Sequence, residues 1–253
     1  MYAEERQVEI VTLVRQDGRV DVTGLAERLG VTPETVRRDL TVLERRGLLR
    51  RVHGGAIPVE RLDFEPRLAA RHEQFMAEKH RIAKAALEEL PEEGVVLLDS
   101  GSTTEVFAGL LPADRELTVV TNGLPIAMAL APMRNLTVLC LGGRVRERTF
   151  ALVDEWARRT LADLTVDVGF LGTNGVSAAK GLTTPVPAEA AVKAAMVAAA
   201  RRRVLLADHS KVGQDSFVRF AALSDLDVVV TDSGVDPDLA EELEAAGPRV
   251  VRA

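Results

Sequence analysis

Thr32-Pro33-Glu34-Thr35-Val36-Arg37-Arg38-Asp39-Leu40-Thr41-Val42-Leu43-Glu44-Arg45-Arg46 reads as one amphipathic helix. Thr32 can accept a hydrogen bond from the free N–H groups at its start, and Pro33 suits the first helical position, where a missing N–H costs nothing. At about 100° per residue Val36, Leu40 and Leu43 share one face, which leaves Glu34, Arg38, Thr41 and Arg45 opposite, with Thr35 and Arg37 on the flanks. Upstream, Leu25, Ala26 and Leu29 mark a shorter helix that Thr23 can cap and Gly30 can end. Val8, Val11, Leu13 and Val14 mark an earlier one. A turn of about three residues separates the last two helices.

Helices joined so tightly form a helix-turn-helix, whose second helix enters the major groove and presents its N-terminal residues to base edges. Arginine pairs bidentately with guanine or grips phosphate, and Thr and Glu make smaller contacts. Gly47-Leu48-Leu49-Arg50-Arg51-Val52-His53-Gly54-Gly55 then reads as a β-ribbon turning at its glycines, a wing. Residues 37–51 hold six Arg and no Lys against Asp39 and Glu44. The competing reading is a small helical domain with a solvated charged face. The short turn, the Pro-started helix, the clustered Arg and the glycine-tipped hairpin together favour double-stranded DNA as the partner.

The 253 residues allow one large domain or two modest ones, and 47% hydrophobic residues can fill a sizeable core. Net charge is -6, split unevenly: residues 1–58 carry +1 and residues 59–253 carry -7. No apolar run reaches the ~18 residues of a membrane span, and the first residues are too polar for a signal peptide, so a cytoplasmic chain with no membrane partner is expected. The single Cys140 excludes an intrachain disulfide and a cysteine metal cluster; its apolar surroundings predict a small buried hydrophobe. No histidine pair has metal-ligand spacing, and no catalytic or metal-binding residue is assigned.

Hydrophobic patterning lapses between His53 and Met76, where charges, Pro58 and Pro66 interrupt any regular element. The organisation expected is a DNA-binding domain over 1–58, a linker over 59–75 and an α/β domain over 76–253. In the last, apolar runs at 95–98, 117–120, 137–141, 166–171, 204–207 and 228–230 alternate with helical stretches. Continuous short runs between helices indicate a mostly parallel sheet covered on both faces, which binds ligands at the carboxyl ends of its strands.

Polar residues gather at those ends. Asp99-Ser100-Gly101-Ser102-Thr103-Thr104 supplies hydroxyls and backbone N–H groups suited to an anion such as phosphate, or is an ordinary turn in which Ser102 or Thr103 caps a helix. Thr121-Asn122-Gly123, Gly142-Gly143-Arg144, Gly172-Thr173-Asn174-Gly175 and Asp208-His209-Ser210-Lys211 follow later runs. Arg144 and Lys211 suit a phosphate or a sugar hydroxyl, and Asn122, Asn174 and Asp208 suit a polyol. Each also has a plain reading as turn glycine, turn asparagine or solvated charge. His209 reads as a loop residue.

The segment from Thr32 to Leu40, with Leu43-Glu44-Arg45-Arg46-Gly47 and Arg51-Val52-His53-Gly54-Gly55-Ala56, resembles the DNA-binding domain of the DeoR family of bacterial transcriptional regulators. The resemblance implies that Thr35, Arg37 and Arg38 face operator DNA, with Arg51 and His53 on the wing. Asp99 to Thr104, Thr121-Asn122, Gly142-Gly143, Glu189 with Lys193, and Asp208 to Lys211 before Gly213 resemble that family's sensor domain. That domain is similar in fold to ribose-5-phosphate isomerase. The fold class implied is α/β, a winged helix-turn-helix followed by a mostly parallel effector domain. The function implied is a repressor of sugar-metabolism genes, modulated by a phosphorylated sugar. Ala191 and His209 depart from the family pattern, and Gly181-Leu182-Thr183-Thr184-Pro185 lies where sugar selection is expected.

One winged domain contacts too little DNA for useful specificity, so a homo-oligomer, dimer or tetramer, is expected. The alternative is a sugar-phosphate isomerase-like enzyme with an attached DNA-binding domain. An isomerase needs a carboxylate base beside the substrate carbon. Setting Asp208-His209-Ser210-Lys211 against the isomerase's Asp-x-Ser-Lys segment puts Lys193 where that Glu is expected, with Glu189 four residues earlier. A lysine there is a poor base, which favours the regulator and no enzymatic cofactor.

Overall fold

The computed structural model describes residues 3–45, 48–52, 54–58, 65 and 68–253. The chain divides into two compact units, Met1–Pro66 and Arg67–Ala253. Among the described residues no helix is long and apolar enough to cross a membrane.

The first unit runs α1 (Ala3–Asp17), β1 (Val20–Asp21), α2 (Val22–Leu29), α3 (Pro33–Arg45), β2 (Leu49–Val52) and β3 (Gly55–Pro58). Its small sheet has the order β1-β3-β2, and β2 and β3 form the antiparallel wing. Ile10, Leu13 and Val14 of α1 pack with Leu25 and Leu29 of α2 and with Val36, Leu40 and Leu43 of α3. Val8, expected on the buried face of α1, is exposed, and Ile10 takes that place. Gly30 ends α2 in the left-handed conformation, at φ 64, that a residue with a Cβ resists. The cap at the other end of α2 is Asp21, whose carboxylate accepts from Gly24 N at 2.8 Å, and not Thr23. The helix begins one residue before Thr23, which is exposed within its first turn.

One buried charge ties this unit together. Asp39 lies three residues after Val36 and four before Leu43, on the apolar face of α3, with 4% of its surface exposed. It accepts from Arg6 Nε at 2.6 Å and Gln7 Nε2 at 3.0 Å, both on α1.

The second unit begins with α4 (Leu68–Glu73) and α5 (Met76–Ala86), so a short helix falls within the stretch expected to be a linker. Then come β4 (Gly94–Leu98), α6 (Ser102–Ala108), β5 (Leu117–Thr121), α7 (Leu124–Leu130), β6 (Leu136–Cys140), β7 (Arg144–Val145) and β8 (Leu152–Val153). Next are α8 (Glu155–Ala162), β9 (Val166–Leu171), β10 (Gly175–Ser177), β11 (Gly181–Thr184), α9 (Pro187–Ala199) and β12 (Ala200–Leu206). The chain closes with β13 (Val218–Ala221), β14 (Val228–Thr231), α10 (Pro237–Ala245) and β15 (Arg249–Arg252).

Seven strands form a parallel sheet in the order β15-β14-β12-β9-β4-β5-β6. Successive residues along a strand face opposite sides. Val96 and Leu98 therefore join α5, α6 and α7 on one face, while Leu97 joins α8, α9 and α10 on the other. The sequence shows six of these strands, β4, β5, β6, β9, β12 and β14, but not the edge strand β15, nor the antiparallel β10-β11-β13 sheet or the β7-β8 hairpin, whose strands are two to four residues long. Cys140 is exposed, against the buried position expected, because β6 is the edge strand.

Asp39→Ala leaves Arg6, itself mostly buried, without its anion. Loss of one partner of a buried pair costs about 3 kcal/mol. A lower denaturant midpoint for the first unit, with the sensor unit's transition unmoved, is the expected result; an unchanged midpoint removes Asp39 from the fold's supports.

Candidate functional site

On α3, Glu34, Arg37, Arg38 and Arg45 are exposed, and Thr35 and Thr41 are half-buried at the margin. Thr32 caps the helix, accepting from Thr35 N at 3.3 Å, with its hydroxyl 2.9 Å from that of Thr35. Arg37 reaches back to Glu34 at 3.4 Å, an exposed pair of little energetic weight. Arg38 and Arg45 carry no ion pair among the described residues, so each presents a full guanidinium to solvent.

The wing is fastened to this helix. Arg51 N donates to Glu44 Oε1 at 2.8 Å, and Arg51 Nη1 donates to Thr41 Oγ1 at 2.9 Å. Thr41 in turn donates to Arg37 O at 2.8 Å. Two residues expected to meet DNA are thus partly engaged in fixing the angle between helix and wing. His53, with Arg46 and Gly47, lies outside the described residues.

In the second unit the strand order reverses between β4 and β9: the chain steps outward from β4 through β5 to β6, then returns to β9 and continues the other way. The loops after those two strands diverge and leave a crevice, the position at which open α/β sheets bind ligands. A small cavity opens there. Its walls are Gly101, Ser102, Thr103 and Thr104 after β4, Gly172 and Thr173 after β9, and Leu206, Ala207, Asp208 and Lys211 after β12. Arg71, Gln74, Phe75 and Lys79 from the α4–α5 segment complete it. Sequence reasoning missed these four, because residues 71–75 fell in the assumed linker and Lys79 sits in a helix whose apolar residues drew the attention.

Among the described residues the cavity's charged walls are three cations and one carboxylate. Lys79 is 3% exposed and donates to Arg71 O and, at 2.6 Å, to Gln74 O. Burial lowers its pKa to about 8, helped by Arg71 and Lys211 and opposed by Asp208. Burial also lowers the Lys211 ammonium, with Asp208 acting against it. Lys211 donates to Ser210 Oγ at 3.0 Å, and Ser210 donates to Asp208. His209 turns aside, with Nδ1 on Asp232 Oδ2 at 2.9 Å and its ring edge-on to Phe75.

Beneath the cavity, Asp99 and Lys193 form a fully buried pair, and both bind Gly172: its N–H donates to Asp99 Oδ2 at 2.9 Å, and its carbonyl accepts from Lys193 at 3.0 Å. Burial raises the Asp99 carboxyl's pKa against the pull of Lys193. Asp99 Oδ1 and Ser100 Oγ are buried with no hydrogen-bond partner among the described residues. Thr121 and Asn122, expected to meet the ligand, brace this floor: Thr121 donates to Leu98 O at 2.7 Å, and Asn122 Oδ1 accepts from Ser100 N at 2.8 Å.

Glu189 belongs to a second buried cluster. It pairs with Arg146 at 2.7 Å and accepts from Thr149 and Thr184, each at 3.3 Å. Thr184 bridges to Asn174 at 3.0 Å. Arg146 and Thr149 carry no distinguishing sequence signal, and Thr184 has only its place in the segment where sugar selection is expected; the fold brings all three to Glu189. Gly143 and Arg144 lie outside the cavity. Gly143 allows the close approach of Val153 O, which a Cβ would meet at 2.3 Å, and Arg144 pairs with Asp154 at 2.8 Å on the surface.

Residues 6–61 match the family model of the DeoR-like helix-turn-helix domain, and residues 74–233 match that of the DeoR C terminal sensor domain. The HTH-type transcriptional regulator GlpR of Haloferax volcanii is 42% identical over 251 residues, 99% of this chain and 98% of its own length. The glycerol-3-phosphate regulon repressor of Escherichia coli is 32% identical over 236 residues, 92% of each. Ribose 5 phosphate isomerase A from Neisseria gonorrhoeae, at 19% identity, covers 53% of this chain and 52% of its own with a TM-score of 0.40. With a reading helix, a wing and a strand-end cavity in one chain, and with both domain models and near full-length relatives matched, this protein belongs to the DeoR family of DNA-binding transcriptional regulators.

Proposed function

We propose that the chain is a cytoplasmic repressor of sugar-metabolism genes that reads operator DNA through α3 and the wing and responds to a phosphorylated sugar held at the strand-end cavity. The observation that carries the ligand reading is the cavity's charge: Arg71, Lys79 and Lys211 face one small space with Asp208 as the only carboxylate among the described residues of its walls. Lys79 is buried and Lys211 half-buried, and ammonium groups withdrawn from water in this way favour an anion beside them. The hydroxyls of Ser102 to Thr104 line the same space and suit phosphate oxygens, and the related E. coli repressor is named for glycerol-3-phosphate, a phosphorylated polyol.

Arg38, exposed in mid-helix, reads a base or holds phosphate, with Arg37, Arg45 and the wing alongside. A single reader supplies too few contacts for useful discrimination, so the working form is a homo-oligomer. The sensor is not an enzyme on this reading. Lys193 is locked to Asp99, and both carboxylate oxygens of Glu189 are engaged, so neither supplies the free base that proton abstraction needs.

Arg38→Ala should weaken operator binding by about 1 to 3 kcal/mol if it reads a base, or lower affinity across all sequences if it holds phosphate. Gel-shift titration separates the two, unchanged affinity removes Arg38 from the interface, and a complex with one chain per operator counts against the oligomer.

Lys211→Met should leave operator binding intact and weaken a responsive phosphomonoester by about 2 kcal/mol, the range for hydrogen bonds to charged groups. Thermal shift against a panel of sugar phosphates measures this, since ligand binding raises apparent stability. An identical shift in the variant places the anion elsewhere.

Incubation with the sugar phosphates that bind, followed by product analysis, should return them unchanged; turnover would make the sensor an enzyme.

A further inference from the structure

The chain enters the sensor unit through α4, which is fastened at three places. Leu68, 3% exposed, donates its N–H to Arg148 O at 2.8 Å. His72 Nε2 pairs with Glu105 Oε2 of α6 at 2.7 Å. Lys79, one turn into α5, donates to the carbonyls of Arg71 and Gln74 at the C-terminal end of α4. Between the helices Phe75 adopts φ 55, a left-handed conformation that a bulky residue keeps only where its surroundings over-determine it. Its ring meets His209 at 4.8 Å between centroids, edge to face.

The third fastening is also a wall of the cavity. An ammonium has three donors, and Lys79 places two on the carbonyls of Arg71, in α4, and Gln74, just after it; no other partner takes the third among the described residues. We propose that Lys79 is a shared latch: an anion in the cavity takes its third donor while the other two stay on the Arg71 and Gln74 carbonyls, so that occupancy locks α4 onto the sensor unit. This rests on the cavity's being a phosphate site.

The electrostatics give the direction. Burial and the neighbouring Arg71 and Lys211 disfavour the charged ammonium, and Asp208 and Glu78 act against them. A phosphate reverses that balance and supports the charge, which strengthens the bonds to the two carbonyls and supplies the third donor. Any opening of α4 that breaks the latch must then give up a ligand contact, so ligand and docking stabilise each other.

Hydrogen–deuterium exchange on the full chain, read at the α4 amides with and without inorganic phosphate, tests this. Exchange should slow by up to about tenfold when phosphate stands at about ten times its Kd. Lys211→Met should weaken phosphate binding yet regain the slowing once saturated. Lys79→Met should exchange faster at rest and show no slowing with phosphate bound, and Lys79→Arg should restore the response. His72→Gln, which alters no cavity wall, should loosen α4 at rest and keep the phosphate effect; this variant guards against misfolding at Lys79. Phosphate that binds the native chain without slowing α4, or a Lys79→Met protein that responds as before, overturns the latch and leaves the phosphate reading standing. Failure of phosphate and of every phosphomonoester to bind overturns both.

Discussion

The sensor unit depends on the reversal of strand order between β4 and β9, and on the buried ion pair that closes the gap it leaves. Divergent loops expose backbone groups of Gly172 and the floor of the crevice, and Asp99 with Lys193 satisfies them from below. A charge in such a place is costly alone and tolerable as a hydrogen-bonded pair. Thr121 and Asn122 hold the next loop to the same floor. The cavity above can therefore present side chains from three strand ends at fixed positions.

Features set by local rules are legible in the sequence. The α3 face, its Thr32 cap, the Gly30 stop and the alternation of apolar runs with helices all rest on periodicity and composition, and each has its counterpart in the structure. Features set by long-range placement are concealed. Asp39 and the arginines look alike as charges in a helix, and only the wheel position beside Val36 and Leu43 hints that one of them is buried. The apolar run that holds Cys140 reads as buried, but strand order makes it an edge. Asn122 and Asn174 read alike as strand-end amides; one braces the floor, the other joins the Glu189 cluster. The α4–α5 segment was hidden by Pro66 and its charges, which break hydrophobic periodicity without preventing a short helix that docks through Leu68.

The winged helix-turn-helix shows a division within one charge type. Arg6 is spent on Asp39 inside the fold, Arg51 on Thr41 between helix and wing, and Arg37 on a weak local pair. Arg38 and Arg45 remain uncommitted among the described residues. Affinity for a polyanion sums over all exposed cations, but sequence discrimination needs a donor held at a known place. The internal arginines supply that placement.

Coupling between the two functions must fall on a part of the sensor that can differ between states, since a ligand shifts an equilibrium only through differential affinity. Three walls of the cavity are strand ends, anchored in a seven-stranded sheet with apolar cores on both faces; moving them would disrupt that sheet. The fourth wall is the α4–α5 elbow: α5 is anchored in the core through Ile82, Ala83 and Ala86, while α4, on the chain's own route from the DNA-binding unit, is held by a few polar contacts and one buried leucine. Within this cavity α4 is the element that can rearrange at the least cost to the core. Reciprocity then applies: the factor by which a ligand in the cavity changes the affinity for DNA equals the factor by which DNA changes the affinity for that ligand.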